Sequence, residues 1–237
     1  VTDVSWLGPP IDVRPLFAEQ QAALLALLRQ LSAGQWDQPT VCPGWTVKDI
    51  AAHVLGDHIG VLSRHRDGYP AQHPRDGEAF PVFLDRINAE WVTAARRMSP
   101  LVLSEFWTHH QQICDATGQP GLTSARYLGT VLDTFMRALP HTLRGVAAPP
   151  GTSLEVLVTG PAGGTWRCTR DPDRWGLQRV APAKPGPPPA ARLELDQDTA
   201  WRLCTRGITP ELAAARARTE GDDRLAGAAL QLVSIIW

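Results

Sequence analysis

Apolar residues recur at helical spacing up to about residue 148 and at every second position after it. A period near 3.6 marks helices that bury one face, and a period of two marks strands that do the same. A chain that switches once between them is predicted to be α+β. The expected division is a helical domain over residues 1–148 and a small α/β domain over residues 149–237. The switch falls in Ala148-Pro149-Pro150-Gly151, where two prolines lack backbone donors and the glycine favours a turn. The length of 237 residues suits one large domain or two small ones.

Five helices are predicted in the first part. Residues 14–32 open with Pro15, suited to a first helical position, and carry Leu24, Leu25, Leu27, Leu28 and Leu31. Residues 46–66 begin at Thr46, a capping residue, with Asp49 favouring the positive helix start. Residues 81–98, 101–116 and 123–145 follow, the last kinked or broken near Pro140. Long helices with short to moderate connections point to a bundle. In the second part Leu154, Val156 and Val158 alternate with Glu155, Leu157 and Thr159, and the 160–164 turn leads to Trp166 and Cys168. A third strand ends at Arg179, and Ala191, Leu193 and Leu195 mark a fourth. Helices are expected over residues 198–204, 210–218 and 222–236.

Lys and Arg number 23 against 24 Asp and Glu, a formal charge of −1. That balance argues against a nucleic-acid surface built on bulk charge and against polybasic membrane docking. No apolar run approaches the ~20 residues of a membrane span. The four cysteines are scattered and form no CxxC pair, which disfavours a zinc knuckle or a disulfide scaffold. No charged segment followed by an apolar core opens the sequence. These features predict a cytoplasmic monomer with a small-molecule substrate and neither a nucleic-acid nor a membrane partner.

The strongest local signal is WDQPTVCPGWTVKDIAAHVLGD, residues 36–57. His53 lies four residues after Asp49 and four before Asp57, so either carboxylate can orient its imidazole. Periodicity puts His53 well off the apolar face of its helix, which favours a surface histidine in local helix pairs. His58 and His65 fall on that face and hint at a lined cavity. On the fifth helix Asp133, Arg137 and His141 recur every four residues opposite an apolar face. Such a stripe is either solvated or lines a pocket. His109 and His110 are adjacent and project about 100° apart, a poor joint ligand pair. No phosphate-binding GxxxxGK[ST] loop, GxSxG elbow, HExxH or ExxH pair occurs.

The 36–57 run, the HRDG string at residues 65–68, LDQDTAWRLCTRG and EGDDRLAGAAL together resemble the mycothiol-dependent maleylpyruvate isomerase family, a branch of the DinB-like metal-binding bundles. The resemblance covers most of the chain. It implies an N-terminal DinB-like four-helix bundle followed by a small α/β C-terminal domain. It also implies a divalent metal, usually zinc, on a His of the second helix and a Glu-x-x-x-His pair of the last. That metal would activate mycothiol, whose thiolate is the nucleophile. Carried over to the fifth helix, the ligand set reads His53, Asp133 and, past Pro140, His141. Arg137 then occupies the second histidine position, and a guanidinium cannot ligate a metal.

The expected function is an isomerase, cyclase or thiol transferase acting on a small electrophilic or polyunsaturated metabolite. Arg137 in a ligand position predicts weak or substoichiometric zinc. It also raises a metal-free variant in which His53 and Asp133 are acid and base and Arg137 stabilises negative charge. The alternative is a non-catalytic small-molecule-binding protein on the same scaffold.

Overall fold

The computed structural model describes residues 8, 9, 11–63, 73–95, 99–180 and 187–234. The HRDG string, with His65, lies outside them. The molecule has two compact units, one of residues 12–122 and one of residues 123–237 with the described residues before Asp12.

The first unit is helical: α1 (Arg14–Gln30), α2 (Ala33–Trp36), α3 (Val47–Val61), α4 (Phe80–Ala95) and α5 (Pro100–Thr117). Proline stands in the first turn of α1 and of α5, where no intrahelical donor is needed. Thr46 caps α3 by accepting from the Asp49 N–H, while the Asp49 carboxylate accepts from the Thr46 N–H. Gly118 ends α5 at φ 66°, a left-handed conformation that suits glycine. Both α1 and α3 pack against α4 and α5, so the four long helices form a ring with α3 beside α5. Val47, Ile50, Ile87, Trp91, Leu103, Trp107 and Ile113 fill its core. Each such side chain contributes about 1.5–3 kcal/mol on burial. The helix α5 is buried round most of its circumference, so Thr108, His109, His110, Gln111 and Gln112 are all drawn inside.

In the second unit α6 (Ala125–Met136) is followed by α7 (Leu139–Thr142) and a 3-10 turn, Leu143–Gly145. The predicted break before Pro140 is therefore present. Strands β1 (Ser153–Thr159), β2 (Gly164–Arg170), β3 (Trp175–Val180), β4 (Ala191–Asp196) and β5 (Arg218–Gly221) form one mixed sheet, ordered β3-β2-β1-β4-β5. Only β1 and β4 run parallel; the other pairs are antiparallel. The β1–β2 turn requires Gly163, because a Cβ there would sit 2.1 Å from the Val158 carbonyl oxygen. Helices α8 (Gln197–Cys204), α9 (Pro210–Arg216) and α10 (Asp223–Ala229) complete the unit.

Three expectations change here. The compact units divide between residues 122 and 123, not at 148, because α6 packs with α8 inside the sheet-containing unit. Strand β5 replaces the end of the expected 210–218 helix; all four of its residues are exposed, so it has no apolar alternation to read. The last helix stops at Ala229 rather than continuing to residue 236. Glu155, which alternates with the apolar residues of β1, is buried because Arg167 of β2 and Arg192 of β4 reach its carboxylate at 2.5 and 3.0 Å. All four cysteines are buried free thiols. No helix among the described residues is long and apolar enough to cross a membrane.

Candidate metal centre

Among the described residues, one group of metal-ligating side chains converges: His53 of α3 with Glu105 and His109 of α5, their donor atoms all within 4.8 Å of one another. Helix geometry makes this possible. Residues four apart share a face, so Glu105 and His109 project together across the α3–α5 contact toward His53. A second pair four apart, His53 and Asp57, lies on α3, with Asp57 Oδ2 3.4 Å from His53 Nε2. The imidazoles of His53 and His109 meet edge to face at 4.9 Å between ring centroids, and Trp45 meets His53 edge to face at 5.4 Å. Trp45 is 40% exposed.

The electrostatics favour a cation. Burial pushes the Glu105 carboxyl up from its usual range, and the nearby Asp57 carboxylate adds to this, while His53 partly offsets it. Two carboxylates crowded near two imidazoles repel each other until a positive charge enters. Burial is also the main cause that lowers His109, keeping its ring neutral with a lone pair available. Gln112 Oε1 lies 3.0 Å from His109 Nδ1. An amide oxygen only accepts, so Nδ1 carries the proton and Nε2 is left unprotonated as a ligand atom. Two imidazoles and one carboxylate suit a borderline cation such as zinc, and three protein donors leave a coordination position for a further ligand. The residues present thus fit the metal that the resemblance implies.

The structure brings His53 together with Glu105 and His109, while Asp133, Arg137 and His141 belong to the other compact unit. There the Asp133 carboxylate accepts from Trp166 Nε1 at 3.0 Å and Arg179 Nη1 at 2.7 Å. Arg137, the residue capping α6, donates to the Pro9 carbonyl. Asp133, Arg137 and Arg179 line a cavity of about 210 Å³ with Trp166 and Leu177. His141 lies on α7 and lines a different cavity. The ring of four is complete with α5, so the last bundle helix is residues 100–117, not 123–145. The signal was present as Glu105-Phe106-Trp107-Thr108-His109. The same Glu-x-x-x-His spacing that the resemblance implies stands here on the fourth predicted helix rather than the fifth.

His58 is buried in the apolar core rather than lining a cavity. Its ring stacks on Trp91 at 4.3 Å and lies 4.9 Å from Phe106. Its Nε2 has no hydrogen-bond partner, and burial pushes its pKa down to about 3. Asp49 serves the helix cap, so Asp57 is the carboxylate beside His53.

Residues 17–117 match the family described as mycothiol maleylpyruvate isomerase N-terminal domain. All three donors fall inside the matched segment. No curated protein matches the chain.

Proposed function

We propose, from the similarity of residues 17–117 to the family described as mycothiol maleylpyruvate isomerase N-terminal domain, that this chain is a thiol-dependent isomerase or transferase. Its substrate is a small electrophilic metabolite, and its reacting centre is the divalent metal site of His53, Glu105 and His109. The observation that carries this reading is the convergence of those three donors within 4.8 Å. When bound, a divalent metal supplies Lewis acidity that makes a coordinated thiol deprotonate near neutral pH.

The side chains divide the remaining work. His53 and His109 offer neutral nitrogen donors, and Glu105 supplies a negative charge. Gln112 holds His109 in the ligating tautomer. The carboxylate of Asp57, beside His53, is the base placed to accept the thiol proton. Trp45 gives the site an aromatic wall that excludes water from one side of an unsaturated substrate. Addition of a thiolate to an activated double bond, rotation and release give isomerisation; retention of the adduct gives a conjugate.

The test is an assay of the purified protein with mycothiol and maleylpyruvate, following cis/trans isomerisation and thiol consumption separately. Isomerisation that needs mycothiol without consuming it supports the isomerase; stoichiometric loss of thiol supports the transferase. No thiol-dependent turnover by a metal-loaded protein with either maleylpyruvate or a panel of electrophiles would contradict the proposal.

A further inference from the structure

Helix α8 ends in a turn that usually carries glycine. The Arg206 N–H donates to the Leu203 carbonyl at 3.1 Å, and the Gly207 N–H to the Arg202 carbonyl at 2.8 Å. This pair of bonds closes a helix by turning the residue after its cap left-handed. That residue is Arg206, at φ 56°, and among the described residues it alone has a positive φ without being glycine. A Cβ in this conformation crowds the following carbonyl oxygen, and glycine would avoid the cost. Strain of this kind persists where the side chain is put to use.

Arg206 lines a cavity of about 370 Å³, within the roughly 300–1,000 Å³ usual for small-molecule sites. The cavity lies between the end of α8, the start of α9 and the segment that follows α10. The Ser234 N–H donates to the Cys204 carbonyl at 2.8 Å and ties that last segment to α8. Leu203 and Leu232 are buried and give the cavity an apolar floor, while Arg206 and Glu211 are exposed at its mouth. The two charges form no ion pair with each other, and the Arg206 guanidinium makes no hydrogen bond to any described residue. Glu211 is held ionised: its own backbone N–H, and then Thr209, keep its carboxyl below the usual range.

We infer that this cavity binds an apolar α-amino acid, its carboxylate on Arg206, its ammonium on Glu211 and its side chain against Leu203 and Leu232. Opposite charges that share a cavity without pairing suit a ligand that carries both. A simple carboxylic acid would meet Arg206 but be repelled by Glu211, and a simple amine the reverse. A zwitterion is attracted by both. The leucine floor favours an aliphatic or aromatic side chain over a polar one. The metal centre belongs to the other compact unit, so the inference stands apart from the proposed thiol chemistry.

Titration calorimetry of the whole protein with L-phenylalanine and L-leucine at low ionic strength tests it. The expected result is saturable binding of one amino acid per chain. Glycine, 3-phenylpropionate and 2-phenylethylamine, each lacking one of the three features, should bind at least about tenfold more weakly, the size of one lost charge-assisted contact. Arg206→Gln keeps the Cβ and removes the charge, and Glu211→Gln removes the other; each should weaken binding by a similar factor. Arg206→Gly should weaken it too while raising the midpoint of denaturant unfolding, since glycine relieves the strain. Arg216→Gln, at the end of α9, should leave binding unchanged. Absence of saturable binding of either amino acid, or unchanged affinity in both Arg206→Gln and Glu211→Gln, overturns the site. Phenylpropionate or phenylethylamine binding as tightly as phenylalanine overturns the amino-acid assignment.

Discussion

In the proposed metal centre Gln112 would act without being a ligand. Its amide oxygen accepts from Nδ1–H of His109, which makes Nε2 the unprotonated ring nitrogen. Gln112→Leu removes that acceptor with little change in volume. It is expected to weaken zinc affinity by about 10- to 100-fold, the usual cost of losing a partner that orients a ligand. Zinc competition titration checks this, and ring-nitrogen chemical shifts of His109 report the tautomer directly. Glu105 has a stronger effect: Glu105→Gln removes the only anionic ligand and should abolish stoichiometric binding. At this scale the sequence was half legible. His53 stands in a motif with a capped helix, so the sequence itself points to it. Glu105 and His109 are four apart on one helix, a spacing that sequence displays but that gains meaning only once α5 is known to face α3. His109 is also drawn inside by α5's unusual burial, which its polar composition conceals.

At the scale of elements, two devices set the geometry. The reciprocal cap of Thr46 and Asp49 fixes where α3 begins and therefore the turn on which His53 sits. Thr46→Ala is expected to cost about 1 kcal/mol of stability in denaturant unfolding. In the sheet, Glu155 of β1 ties β2 and β4 together through Arg167 and Arg192. Glu155→Ala leaves the Arg167 guanidinium buried without its partner, and is expected to destabilise the protein by about 3 kcal/mol, read in the same experiment. The cap was legible from Thr46 and Asp49 as letters. The role of Glu155 was not, because alternation puts it on the polar face, and only register shows two arginines beside it. Strand β5 escaped for the opposite reason, having no buried residue to set a period.

At the scale of the whole molecule, buried imidazoles predict how stability depends on pH. Burial holds His58 near 3 and pushes His110 down to about 4, both below an ordinary histidine. The unfolded chain therefore binds more protons than the folded one as pH falls below about 6.5. The stability these groups contribute is fully present above that value and is lost as pH drops toward their folded pKa values. The midpoint of denaturant unfolding should fall through that window, and His58→Phe should flatten the dependence. The two-part plan of the chain was legible from its change of period, while the division of compact units was not, because α6 shares the helical period of the bundle but packs within the other unit. The central claim is that the metal centre is built from α3 and α5. Elemental analysis of wild type, Glu105→Gln and Asp133→Asn, each purified without chelator, tests it most directly. The account predicts about one divalent metal per chain in wild type and Asp133→Asn, and its loss in Glu105→Gln; metal retained in Glu105→Gln but lost in Asp133→Asn would contradict it.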